Sequence, residues 1–170
     1  MFMQQQTQNS WKKQRAKILN FISRYSDKRI AIATFNSLRL LSSEQLLDGD
    51  QDVAPATILT MVDQKHLVGI AYFNNNEPKQ CLIVVHPLAR KKGVGEQLFT
   101  SLISRYKDFR CYVAIDNISS LKLCFKSGLH AVSLSKGPTG KPTLCFERSQ
   151  EHVTEANRNS NPILEREKSN

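Results

Sequence analysis

The sequence predicts a mixed α/β fold, a mostly antiparallel central sheet flanked by helices. Three observations carry that expectation. Short β-rich runs alternate with amphipathic helical patterns along most of the chain. Two pairs of those runs are joined by short polar links, the mark of hairpins. One run, QCLIVV at 80–85, is almost uninterruptedly apolar. A strand covered on both faces reads that way, so a central position is expected for it.

Taken in order, residues 11–25 place Trp11, Ile18, Ile22 and Tyr25 at spacings of seven, four and three, one apolar helical stripe with Lys and Arg opposite. Such a stripe either packs on its own domain or, given its basic polar face, meets a protein, nucleic-acid or membrane surface. A second helical pattern covers 36–47, and 48–55 reads as a loop. Residues 56–63 and 66–73 are β-rich and split by Gln64 and Lys65, which predicts a hairpin. The run 80–85 follows a turn. Val94, Leu98, Leu102 and Tyr106 are spaced by fours, with Phe99 and Ile103 beside them, predicting a helix laid on the sheet. Residues 109–115 read as a strand. Residues 117–128 read as a short helix opened by Asn117 and closed by Gly128. A last strand pair, 129–135 and 142–148, spans the loop KGPTGK. The order divides into a basic amphipathic N-terminal helix (1–29), a main domain (30–148) and a polar, aperiodic tail (149–170) expected to be disordered.

A length of 170 residues suits one domain with appendages. The net charge of +9 favours polyanions without naming one, and residues 1–30 hold seven Lys or Arg against Asp27 alone. Cys81, Cys111, Cys124 and Cys145 form no CxxC or Cys/His cluster, so neither a metal site nor a disulfide framework is expected. The first ten residues lack the basic and apolar regions of a signal peptide, and no apolar run approaches the ~20 residues of a membrane span. A cytoplasmic protein is the expectation.

The chemistry concentrates at VVHPLARKKGVGEQL (84–98): a strand, a Pro-containing turn, three cations and two glycines at the mouth of a helix. Glycine lets backbone N–H groups converge, and the helix N-terminus adds about half a positive charge. Together they make an anion site, with a solvated basic turn as the plain alternative. A P-loop does not fit, because the nearest match, KGPTGKPT, has Pro142 after its Lys and Ser135 where the first Gly belongs. A dinucleotide fingerprint begins well with Gly93-Val94-Gly95, and Asp116 ends the next strand. It then fails at Leu98 and at the long link from Val85 to Gly93.

Val85-His86-Pro87-Leu88-Ala89-Arg90-Lys91-Lys92-Gly93-Val94-Gly95 resembles the V-x-P-x-x-[RQ]-x-x-G-x-[GA] segment of the GNAT N-acetyltransferases. Asn117, Leu123, Lys126, Gly128 and Leu129 resemble that family's N-x5-L-Y-x-K-x-G-F segment, with Cys124 in the Tyr slot. The resemblance runs from about Thr57 to Glu147 and implies the GNAT fold with its splayed central strand. It implies that Ile83, Val84 and Val85 pair with the pantetheine arm of acetyl-CoA and polarise the acetyl carbonyl. Lys91, Lys92, Gly93, Val94, Gly95 and Glu96 would cradle the pyrophosphate through backbone N–H groups, with Arg90 bracing the loop. Asn117 would touch the pantetheine end, cap its helix, or do both.

The implied reaction is direct attack of a primary amine on the thioester in a ternary complex, with no metal. It asks for a base for the ammonium and an acid for the CoA thiolate. Cys124 is the candidate acid, since a thiol can protonate a thiolate of similar basicity, or else it merely packs. His86 is the candidate base, or else a turn residue. Asp116, Glu77 and His66 are further loop candidates. Where members acting on protein N-termini often carry Glu, this chain has Tyr112. The alternative is a GNAT-like module that binds CoA or a macromolecule without efficient transfer.

Overall fold

The computed structural model describes residues 1–26, 30–46, 55–76 and 78–148. The expected tail, Glu77 and most of the 48–55 loop lie outside the described residues. In chain order the elements are β1 (Phe2–Gln5), α1 (Gln8–Tyr25), α2 (Ile32–Leu40), β2 (Ala56–Asp63), β3 (His66–Asn74), β4 (Gln80–Val85), α3 (Val94–Ile103), β5 (Arg110–Ala114), α4 (Ile118–Lys126), β6 (Leu129–Lys136) and β7 (Pro142–Arg148). Two 3-10 turns, Ser43–Gln45 and Pro87–Ala89, punctuate the connections. The strands form two antiparallel sheets, β1-β2-β3-β4 and β5-β7-β6, which meet along β4 and β5.

The two faces of the first sheet follow the two-residue period of its strands. Ile58, Ile70, Tyr72, Leu82 and Val84 face α1 and α2. Leu59, Ala71, Phe73, Cys81 and Ile83 face α3 and α4. The helix α1 starts at a capping box in which Thr7 accepts from the Ser10 N–H and the Ser10 hydroxyl accepts from the Thr7 N–H. Its stripe resolves in favour of its own domain: Trp11, Ile18 and Ile22 are buried, and Trp11 Nε1 donates to the Leu41 carbonyl at 3.3 Å. Lys12, Lys13, Lys17 and Arg24 stay exposed on the opposite face. The edge strand β1 pairs Phe2–Gln5 with Val62–Leu59, a pairing that its own residues do not announce.

Two expectations need correction. The second helix starts at Ile32, not Asn36, and stops at Leu40. The Ser42 hydroxyl then accepts from the Glu44 N–H and diverts the chain into a 3-10 turn. The apolar run 80–85 is not central within a sheet: β4 hydrogen-bonds to β3 alone and forms the sheet's edge. It is apolar because helices cover both faces and the second sheet abuts its edge. The hairpin is as expected, with Gln64 at φ 46° and Lys65 at φ 67°, the left-handed pair of a type I′ turn.

Candidate functional site

The site begins at the edge of β4. Neighbouring residues of an antiparallel strand send their backbone groups alternately to either side. The His86 N–H bonds to the Val68 carbonyl on the β3 side at 2.9 Å, so Val84 and Leu82 also turn toward β3. Val85 and Ile83 turn their N–H and C=O groups the other way, toward the seam with β5. Arg90 confirms the parity, because its Nε donates to the Val85 carbonyl at 3.1 Å. No ladder joins β4 to β5. The strand therefore opens as a splayed edge, with backbone donors and acceptors available for an extended ligand.

Beyond β4, the 3-10 turn begins at Pro87, and His86 Nδ1 caps it by accepting from the Leu88 N–H at 3.2 Å. Two left-handed residues follow, Lys91 at φ 61° and Gly93 at φ 77°. A non-glycine residue there costs about 1–2 kcal/mol, and strain of this kind gathers at ligand sites. Gly93 is the N-cap of α3 and supplies no side-chain cap for the first N–H groups of the helix. Lys91 and Lys92 are exposed beside them. The Glu96 carboxylate, which would oppose an anion, is held by Lys126 of α4 at 2.7 Å.

One determinant of this geometry went unread in the sequence. A Cβ on Gly69 of β3 would sit 2.8 Å from both Leu98 Cδ1 and Val94 Cγ1, so only glycine lets α3 lie this close to the sheet. Gly69 is opposite Val85, which seats the helix N-terminus against the end of β4. An isolated glycine inside a β-rich run was the available signal. Tyr25 was read only as stripe, yet its ring packs edge-on against His86 with centroids 4.5 Å apart.

Asn117 caps α4, its Oδ1 accepting from the Ser120 N–H at 3.3 Å and the Ser119 hydroxyl at 3.1 Å. That leaves its NH2 donors uncommitted. Cys124, about two turns of helix further on, faces the core and is 2% exposed. Its Sγ lies 3.8 Å from Cys111 Sγ on β5, with Cys81 of β4 in the same cluster. The hydrogen bond between the two thiols, together with burial, holds Cys111 well above the ordinary thiol range. Burial does the same to Cys81.

The other loop candidates are scattered. His66 is exposed at the β2–β3 hairpin opposite Asp63, on the far side of β4 from the open edge. Asp116 is ion-paired with Lys141. Tyr112 is half exposed on β5 and places no carboxylate there. A hollow of about 540 Å³ runs along the outer flank of α3 between Gly93, Gln97, Thr100 and Met3, touching the turn at Gly93 and Glu96. Among the described residues no group of His, Cys, Asp and Glu could hold a metal, and no helix is long and apolar enough to cross a membrane.

Comparison with known proteins gives the fold and the family. No curated protein sequence matches the chain. Among solved structures, a spermidine N-acetyltransferase SpeG chimera from Vibrio cholerae and hSSAT superposes with a TM-score of 0.60 at 14% identity, covering 87% of this chain and 96% of the other. An N-acetyltransferase from Staphylococcus aureus Mu50 superposes with a TM-score of 0.61 at 12% identity, covering 87% and 97%. At such identities these likenesses establish the fold alone. The model of the acetyltransferase (GNAT) family matches residues 22–129, well over half the chain and all of the open strand, the glycine turn and α4. The chain belongs to the GNAT acetyltransferase family and is an acyl-CoA-dependent acetyltransferase with acetyl-CoA as its co-substrate.

Proposed function

We propose that the protein transfers acetyl from acetyl-CoA to a primary amine by direct attack in a ternary complex. The observation that carries this is the unpaired edge of β4 leading into a glycine turn capped by Gly93. In this reading the outward N–H and C=O groups of Ile83 and the N–H of Val85 pair with the pantetheine arm, with Val84 holding the strand to β3. Backbone N–H groups from Lys91 through Glu96 (Lys91, Lys92, Gly93, Val94, Gly95) hold the pyrophosphate, and the Lys91 and Lys92 ammonium groups add long-range attraction. The free Asn117 amide donates to the arm near the thioester. A cytoplasmic location suits the four free thiols and the acyl-CoA substrate.

For the acid and the base we take the plainer of the two readings each residue allows. With Nδ1 accepting from Leu88, a neutral His86 carries its proton on Nε2 and has no spare lone pair. It acts here as the cap of the turn, and the ammonium loses its proton to water. Cys124 packs against Cys111 with 2% of its surface exposed, and in this reading the departing thiolate also takes its proton from solvent. We therefore expect Cys124→Ala to lower stability by about 1 kcal/mol, a melting shift of about 3 °C, with kcat within about threefold of wild type. A positioned general acid would instead cost about 10²–10⁴-fold in kcat, and that loss at unchanged stability would overturn the packing role.

The proposal as a whole is tested by calorimetry with CoA and by release of free CoA thiol from acetyl-CoA across a panel of amines. Binding together with amine-dependent release is expected. Binding without release from any amine would mark a CoA-binding module, and no binding would remove the site.

A further inference from the structure

The turn after β4 is tied to the end of α1. Arg90 donates from Nε to the Val85 carbonyl at 3.1 Å and from Nη2 to the Tyr25 carbonyl at 3.2 Å. Tyr25 is the last residue of α1, so its carbonyl is one of the four left without an intrahelical partner. A guanidinium there meets the negative end of the helix dipole and makes a charge-assisted bond. Tyr25 in turn packs edge-on against His86, and Phe21 lies 6.4 Å from the same ring. The last turn of α1, His86 and Arg90 thus form one junction beside the mouth of the open strand.

One end of this tie lies at the proposed cofactor site. Val85 C=O is on the edge that offers backbone pairing, and Arg90 immediately precedes the residues that receive the pyrophosphate. Ordering Lys91 through Glu96 around an anion restrains the Arg90 backbone, and pairing along Ile83 and Val85 restrains its first acceptor. A guanidinium held at those points holds Tyr25 as well. Lysine, a single point charge on a flexible stem, cannot span two carbonyls in this way.

We propose that Arg90 is a positioning residue that couples cofactor loading to the C-terminal turn of α1, the bank of the seam that carries Tyr25 and His86. Acetyl-CoA would then stiffen the last turn of α1. The inference rests on the reading of residues 91–96 as the pyrophosphate turn.

Amide hydrogen exchange with and without CoA tests it, read on peptides spanning 21–26 and 90–97, with the β2–β3 hairpin as a folding control. In wild type, CoA should slow exchange about fivefold or more in both peptides, the low end of ordinary site-to-site coupling. In Arg90→Gln it should still slow 90–97 and leave 21–26 unchanged. Where that variant loses protection in the hairpin and so fails to fold, Arg90→Lys, which keeps the charge without the fork, is read the same way. Equal CoA-dependent slowing at 21–26 in the variant overturns the coupling. So does a wild type protected at 90–97 alone, although the pyrophosphate turn then stands. Protection at neither peptide removes the cofactor turn and this inference with it.

Discussion

Gly93→Asp should fold and bind CoA at least about 100-fold more weakly, a loss of about 2.7 kcal/mol. Gly93 sits at φ 77°, where Asp and Asn are the side chains best tolerated, and the nearest atom to an added Cβ is the Gln97 amide at 3.8 Å. An aspartate at this N-cap would suit the helix dipole, which offsets part of the about 1–2 kcal/mol of left-handed strain, so the variant should still fold. The same carboxylate would stand where the pyrophosphate must lie. Two like charges about 4 Å apart near a protein surface repel by about 4 kcal/mol, ample for the predicted loss. Gly93→Asn separates charge from shape, since it keeps the cap and size without the carboxylate, and it should lose less than about tenfold (1.4 kcal/mol). Calorimetry and thermal melts on both variants decide the matter. A folded Asp variant with wild-type affinity would take the pyrophosphate away from this turn.

Trp11→Ala should be the most damaging change outside the site, costing about 3–5 kcal/mol and roughly 10 °C of melting temperature. The indole is 1% exposed in the core shared by α1, α2 and the first sheet. Its removal opens a cavity bounded by sheet residues that cannot collapse into it, and it leaves the Leu41 carbonyl without its Nε1–H donor. A native protein holds only about 5–15 kcal/mol in reserve, so the variant should be marginal at 37 °C. Denaturant titration measures the effect directly. A loss below about 1 kcal/mol, the scale of surface substitutions, would mean that α1 is a loosely attached arm and that its basic face, not its apolar one, explains its composition.

These two predictions draw on different kinds of information. The glycine turn could be read from a window of about a dozen residues because its chemistry is local: cations, left-handed glycine and a helix N-terminus follow one another along the chain. The same holds for the β2–β3 hairpin, whose turn falls at Gln64 and Lys65, and for α3 and α4, whose stripes and caps lie within a few turns of helix. The Trp11 stripe was equally visible, but the sequence offered no choice between its own domain and a partner. That depends on what surface lies opposite, and the opposing residues, Ile58, Ile70 and Val84, are far along the chain.

The sequence by itself determined the alternating helices and strands, the glycine turn at the mouth of α3 and the resemblance that names the co-substrate, because each is written in short-range spacing. Only the tertiary structure decided the rest. A four-residue strand of Phe, Met and two Gln becomes β1 because β2 offers it an edge. The apolar run of β4 looks central from within, yet the open seam on one side makes it the edge of its sheet. Cys124 occupies a catalytic slot by spacing and a core position by contact, since Cys111 approaches it from β5. Arg90 reaches the carbonyl of Tyr25, 65 residues away at the end of α1. Hydrogen-bond partners and burial belong to pairs of residues brought together by folding, and no window along the chain contains both members.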